Sequence, residues 1–288
     1  VWLVPTLGAT LTWGIAQGLV KKYIGEVPPA RFCLYYALAN AAVSLAFWAF
    51  QDAPSAFAPE SRSFAVWGLL AYVLDGIAWI FYYQSILYGP ISIVGTLSAA
   101  YPALTVILAR AFLAESLGAA QLAGVVAVIA GCLALAYTPD EEGAKRTERR
   151  WMAYAAAAIL IWGANGTMIR YAYRLPGAHE ANMALFIAIG GLLTLGVYGF
   201  LYGRREATSR GEWLRSFGPM ATMAVGSLLA AIAYKKGPAS IVTPVSGAYP
   251  VVTLAFARAV LRERPTGLQR AGIVLVLVGM VLITAGAS

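Results

Sequence analysis

The chain is predicted to be an all-α integral membrane protein: ten transmembrane helices, arranged as two inverted five-helix repeats around a central cavity. Three observations lead there. Hydrophobic residues make up 60% of the 288 positions and charged residues only 12%, against roughly 45–50% and about 25% in soluble domains. That much apolar surface needs lipid to cover it. The two halves also repeat each other, because Gly89-Pro90-Ile91-Ser92-Ile93-Val94 returns as Gly237-Pro238-Ala239-Ser240-Ile241-Val242. In the same ungapped register Ser98 matches Ser246, Ala100-Tyr101-Pro102 matches Ala248-Tyr249-Pro250, Glu115 matches Glu263, and Gly124 and Gly131 match Gly272 and Gly279. Finally, each half holds five apolar spans. An odd number forces the second half to enter the membrane the opposite way up.

The spans of the first half fall near 2–20, 31–50, 64–87, 92–110 and 118–137, and those of the second near 151–170, 182–202, 217–236, 240–258 and 268–286. Each matches the ~20 residues that a helix needs to cross a bilayer. The breaks between them carry turn chemistry: Pro28-Pro29, Asp52 to Pro59, Gly89-Pro90, Pro176-Gly177, Gly237-Pro238 and Pro265-Thr266-Gly267. The longest connection, Thr138 to Arg150, is a mixed-charge run without an apolar face. It reads as a solvated linker and divides the chain into a first repeat over 1–137, a linker over 138–150 and a second repeat over 151–288. The first apolar run is long enough to be a span rather than a cleavable signal. The first residue is not Met, so a short leader ahead of it is expected.

Several functions are excluded at this stage. No connection could house a nucleotide-binding domain, and no Gly-rich phosphate loop ends in Lys-Ser or Lys-Thr, so transport would draw on gradients. The net charge of +8 comes from Lys and Arg beside span ends, where they set topology or touch headgroups; nucleic acid is not an expected partner. Cys33 and Cys132 sit in apolar context as small hydrophobes with no ligand spacing. With one acid at membrane depth and the single histidine, His179, in a connection, no catalytic set assembles. No cofactor, metal or enzymatic activity is expected.

Fifteen of the 21 Lys and Arg residues fall in odd-numbered connections and six in even-numbered ones. The positive-inside rule then puts the odd connections in the cytoplasm and both termini outside.

Polar residues inside spans are the candidate site. In helix one, Trp13, Gln17 and Lys21 share a face at four-residue spacing, and helix six repeats this with Trp162, Asn165 and Arg170. Lys21 and Arg170 lie near span ends, where they could gate the cavity or snorkel. Asp75 lies in mid-span. A charge there is expensive and faces a cavity, a partner or a proton path. Three roles stay open: counter-charge for a substrate amine, a proton-coupling carboxylate, or a hydrogen-bonded residue on a helix seam. Its repeat partner is Met223, so the feature is asymmetric. Trp79 and Tyr82 continue the face of Asp75, and an acid above an aromatic stripe suits a cation. Tyr101, Pro102, Ser246, Tyr249 and Pro250 occupy matching places in spans four and nine, with Pro244 a second break in span nine. Prolines inside a span free a carbonyl, which is tolerated beside a cavity or hinge. Glu115 and Glu263 are expected to cap or to pair with Arg110 and Arg258. Small residues such as Gly124 and Gly131 mark close helix packing.

The doubled motifs resemble the drug/metabolite transporter superfamily, specifically the EamA-type ten-helix carriers. The likeness rests on Trp13-Gly14 with Trp162-Gly163, Tyr101-Pro102 with Tyr249-Pro250, and Glu115 and Gln121-x-x-Gly124 with Glu263 and Gln269-x-x-Gly272. It implies alternating-access export of small metabolites, often amino acids, from a bacterial inner membrane, with no partner subunit required. The aromatic face of helix three is similar to what a YddG-like aromatic amino acid exporter needs. Proton-coupled efflux of organic cations or drugs through Asp75 is the alternative, with protons as coupling ion. Family members usually keep both termini in the cytoplasm, the reverse of what the Lys/Arg count gives.

Overall fold

Nothing in a bilayer core can hydrogen-bond an exposed peptide group, so every spanning segment is driven to helix. A computed structural model describes residues 1–288 apart from 24–26, 53, 89–98, 138–149, 206–209, 261, 263–265 and 286–288, and apart from the side chain of Lys21. The helices are α1 (Leu3–Tyr23), α2 (Pro29–Ala49), α3 (Arg62–Tyr88), α4 (Tyr101–Leu113), α5 (Ala119–Ala136), α6 (Arg150–Ala172), α7 (Glu180–Gly203), α8 (Glu212–Lys236), α9 (Ala239–Val260) and α10 (Gly267–Ala285). Among the described residues nine are long and apolar enough to cross a membrane, and α4 is the shorter tenth. The expected motif Gly89–Val94, Ser98, the linker over 138–149, Glu263 and Pro265 lie outside the described residues.

The packing has two-fold symmetry. α3 lies on α6 as α8 lies on α1, α4 on α6 as α9 on α1, and α2 on α8 as α7 on α3; α5 packs on α10. The α5–α10 seam shows the direction of the axis. A Cβ on Gly124 would come within 2.6 Å of the Gly279 carbonyl oxygen, and one on Gly131 within 2.7 Å of that of Gly272. The reverse contacts, Gly279 to Gly124 at 2.6 Å and Gly272 to Gly131 at 2.9 Å, close the set. Since Gly124 corresponds to Gly272 and Gly131 to Gly279, this is a self-complementary antiparallel crossing. Its axis runs across the helices, as inversion of the second repeat requires. Small residues make such an approach possible where hydrophobicity gives helices no drive to associate.

Local chemistry sets the ends of the helices. Pro29 opens α2, where a missing N–H is harmless. Gly177 adopts φ 71° ahead of α7, a conformation open to a residue without Cβ. His179 caps α7, its Nδ1 accepting from the Ala181 N–H at 3.3 Å. Midway through α7 the backbone widens into a π turn over Leu192–Gly196.

The prolines of spans four and nine correct one expectation. Span nine is two helices, Ala239–Ser246 (α9a) and Tyr249–Val260 (α9b), broken at Gly247-Ala248. Pro250 is the second residue of α9b and Pro102 the second of α4. Both occupy a first turn, whose N–H groups have no intrahelical acceptor anyway. They start helices instead of interrupting them. Only Pro244 lies inside a helix; it leaves the Ser240 carbonyl without its usual donor, in a segment buried throughout its length.

Gly131→Ala is expected to force α5 and α10 apart at about 1–3 kcal/mol, lowering Tm in detergent by several degrees. Gly218→Ala, where a Cβ meets nothing within 4 Å, serves as the control. Equal melting of both variants would contradict the seam.

Candidate functional site

Helices hydrophobic on all sides leave polar side chains nowhere to go except toward each other, and here they converge on one space. A cavity of about 120 Å3 lies between the repeats, walled by α1, α2, α3, α4, α6, α8 and α9b. α1 contributes Trp13 and Gln17, α3 contributes Tyr72, Asp75 and Trp79, α6 contributes Trp162 and Asn165, and Tyr101 and Tyr249 stand at the starts of α4 and α9b. Tyr36, Met223, Ser227 and Tyr234 complete the polar and polarisable wall.

The aromatic rings hold one another edge-on. Trp79 meets Trp162 at 5.1 Å between centroids and 77°, and Tyr36 at 5.5 Å and 74°. Trp13 meets Tyr249 at 6.3 Å and 86°. Such geometry sets ring edges against ring faces, the favoured arrangement of aromatic quadrupoles. It also fixes several electron-rich faces on one small volume. Trp13 is further anchored by its indole N–H, which donates to the Met223 carbonyl at 3.2 Å.

Asp75 is half-buried on the cavity wall, with Trp162 as the hydrogen-bonding neighbour of its carboxyl. Among the described residues no Lys, Arg or His lines the cavity. Asn165 donates through Nδ2 to the Ala71 carbonyl at 3.1 Å, while its buried Oδ1 has no partner. The Tyr234 and Thr243 hydroxyls pair at 2.9 Å against Gly166.

Eight of the ten residues expected to bind substrate thus border this cavity. Tyr82 does not: it lies behind the wall, 5.9 Å from Trp79 and 5.3 Å from Trp162 between ring centroids. Nor does Ser246, which is 1% exposed and donates to the Thr243 carbonyl at 3.2 Å. Tyr36, Tyr72, Met223, Ser227 and Tyr234 were not anticipated. Three of them could have been, since Met223 and Ser227 occupy the repeat positions of Asp75 and Trp79, and Tyr72 precedes Asp75 by nearly one helical turn.

A second polar cluster joins the repeats on the face that carries the even-numbered connections. Glu115, after α4, accepts from the Ala239 N–H at 3.0 Å, the Ser240 N–H at 2.9 Å and the Ser240 Oγ at 2.7 Å. A first-repeat carboxylate therefore caps a second-repeat helix, where free N–H groups and the helix dipole favour negative charge. Arg170 and Arg174 approach the same carboxylate at 3.8 and 3.9 Å. Arg170 also donates to the Tyr234 and Lys235 carbonyls at 2.9 and 2.8 Å, and Arg174 to that of Leu113 at 2.7 Å. This corrects the expected pairing of Glu115 with Arg110, which is exposed. Arg170 is bound into the clamp and does not snorkel. Lys235 and Lys236 reach Glu180 at 3.7 and 3.8 Å nearby. On the opposite face Arg31 meets the buried Glu212 at 3.1 Å.

A polar, aromatic-lined cavity at the centre of an inverted ten-helix repeat is the architecture of an integral membrane transporter. The description of the EamA-like transporter family matches residues 1–137 and again 149–285, and the chain belongs to that family. A crystal structure described only as that of a protein superposes with a TM-score of 0.74 at 21% identity, over 98% of this chain and 96% of that one. At that identity it supports the fold. An uncharacterized protein of Methanocaldococcus jannaschii, MJ1333.1, is 43% identical over 60 residues, 21% of this chain and 44% of that protein. The chain spans less than half the length of this curated relative.

Glu115→Ala should strand two arginines and the α9a N-terminus, a loss of about 3–5 kcal/mol for a broken buried pair. Faster thiol labelling at a Ser240→Cys reporter in the Glu115→Ala background is the expected readout; unchanged labelling and Tm would mean that the clamp holds nothing.

Proposed function

We propose that this transporter carries small amphipathic amines, bound between the Asp75 carboxylate and the rings of Trp79, Trp162 and Tyr36. The supporting observation is the charge of the cavity: among the described residues it has one carboxylate, no basic side chain and a wall of aromatic faces. An ammonium ion there gains a charge-assisted hydrogen bond, worth about 1.5–3 kcal/mol. Ring faces add ~0.5–2 kcal/mol of cation–π attraction. An organic anion would meet only repulsion from Asp75.

Zwitterionic amino acids form the second reading, favoured by a specific feature. α4 and α9b both begin at the cavity, with Tyr101 and Tyr249 as their first residues. Helix starts carry partial positive charge and hold substrate carboxylates in other inverted-repeat carriers. Gln17 and Asn165 would assist. In both readings Asp75 takes the amine, and export exchanges it there for a proton or another cation.

Alternating access follows from the pseudo-symmetry. The Glu115 clamp closes the even-connection face, and its release, with Arg170 leaving the α8 carbonyls, opens that face. Pro244 and Pro250 flank the α9 break, where backbone hydrogen bonding is already interrupted and bending costs least, and Pro102 at the start of α4 packs beside Gly247 of that break. Lys21 is the sequence counterpart of Arg170 in α1 and is assigned the matching gate role. The Lys/Arg count places the even-connection face, with both termini, in the periplasm.

Uptake into proteoliposomes discriminates the readings. Phenethylamine flux should be saturable and should exceed that of phenylalanine, and Asp75→Asn should weaken amine binding some 10- to 100-fold. Stronger transport of phenylalanine would shift the assignment to amino acids. Absence of saturable flux of either would remove it. For orientation, a C-terminal alkaline phosphatase fusion should be active and a fluorescent-protein fusion dark; the opposite pair would return the termini to the cytoplasm.

A further inference from the structure

Behind the central cavity a second, smaller chamber of about 10 Å3 shares Asp75, Tyr72 and Ser227 with it and adds Asn40, Gly76 and Gly191. That is the volume of about one water-sized sphere. Asp75 and Asn40 bring a carboxylate and an amide to its lining, beside Tyr72 and Ser227; the Ser227 hydroxyl already pairs with that of Tyr36 at 2.8 Å and donates to the Met223 carbonyl at 3.3 Å. Asn40 is 4% exposed and its Oδ1 has no hydrogen-bond partner, although its side chain does hydrogen-bond the Tyr36 hydroxyl. With the amide nitrogen committed to Tyr36, the orphaned atom is an acceptor. A buried acceptor without a donor is costly and is satisfied by a hydrogen-bond donor or by a cation, and the neighbouring Asp75 carboxylate favours the cation.

The backbone beside the chamber is irregular as well. Leu195, in the π turn Leu192–Gly196 of α7, lines it, and Gly76 packs directly on the Thr194 side chain, whose Oγ1 donates to the Gly190 carbonyl at 2.6 Å. π turns interrupt the regular i→i+4 ladder and recur at functional sites. Hard cations select carboxylate, amide and hydroxyl oxygens. A divalent ion would want more carboxylates than this site has, and no cluster of three His, Cys, Asp or Glu occurs among the described residues.

We propose that this chamber binds one monovalent metal cation, sodium by size and ligand hardness, on Asp75 and Asn40. The inference rests on the reading of Asp75 as the amine site and gives that site its exchange partner. A single carboxylate borders both spaces, so it neutralises either the ammonium in the large cavity or the metal ion in the small one. Sodium entering the chamber weakens the amine, and the amine expels sodium. The two ligands then move in opposite directions on one negative charge.

Binding of radiolabelled sodium to the purified full-length chain, with choline chloride holding ionic strength constant, tests this directly. Sodium binding should be saturable, displaced by phenethylamine, lost in Asp75→Asn and weakened at least tenfold in Asn40→Ala. Asn40→Asp, which adds a second carboxylate, should bind sodium more tightly; this arm keeps the test decisive if the alanine variant fails to fold. No saturable sodium binding above the choline background would overturn the proposal, as would affinity indifferent to both substitutions at Asn40. Phenethylamine binding measured in sodium-free buffer separates the two ideas. Amine binding without sodium binding leaves the transport reading standing and ends this one. Sodium binding without amine binding does the reverse.

Discussion

A carboxylate at membrane depth, with no basic side chain beside it among the described residues of the cavity, is the constraint on which the rest of this molecule depends. Asp75 sits in the middle of α3, far from any headgroup it could reach. Lipid offers no solvation, and an uncompensated charge there costs several kcal/mol at least. The fold therefore provides a wet space between its repeats and surrounds the carboxylate with tyrosine hydroxyls, an indole N–H and amides. Among the described residues no permanent counter-charge lines the cavity, and the proposed amine is the mobile cation that would take its place.

Symmetry and asymmetry divide the labour. The seam of α5 on α10, the paired crossings of α1 on α8 and α3 on α6, and the rings of Tyr101 and Tyr249 obey the two-fold axis. They build the two-fold scaffold that the proposed alternating access would use. Asp75 and Trp79 break the symmetry, standing opposite Met223 and Ser227. Chemistry is placed on one repeat, and the other supplies a soft, polarisable wall. The Glu115 clamp joins the repeats at one face, with a first-repeat carboxylate on a second-repeat helix start.

Much of this was legible from residues alone. Duplicated motifs and an odd span count yielded the inverted fold, and mid-span polar residues at helical spacing pointed to Trp13, Gln17, Asp75, Trp79, Trp162 and Asn165. Tyr36 was not legible, for a physical reason. α2 shows no amphipathic period, so periodicity marks no inner face there, and the rotation that turns Tyr36 toward the cavity is set by packing. Ser246 misled because a hydroxyl inside a span reads the same whether it faces a cavity or bonds its own helix. Glu115 was expected to cap or to pair with Arg110; it caps, but the free N–H groups it satisfies are those of α9a across the repeat boundary, which sequence neighbours do not reveal. Pro102 and Pro250 were seen as breaks but assigned to helix interiors, since sequence alone does not show that a helix restarts one residue earlier.

The central claim is that Asp75 holds the ammonium of a substrate whose ring rests on Trp79 and Trp162. A structure determined at saturating phenethylamine tests it most directly. The expected result is density with the amine nitrogen at about 2.7–3.2 Å from an Asp75 carboxylate oxygen and the ring against those two indoles. An amine pointing away from Asp75, or a ligand seated outside the cavity between the repeats, would contradict it.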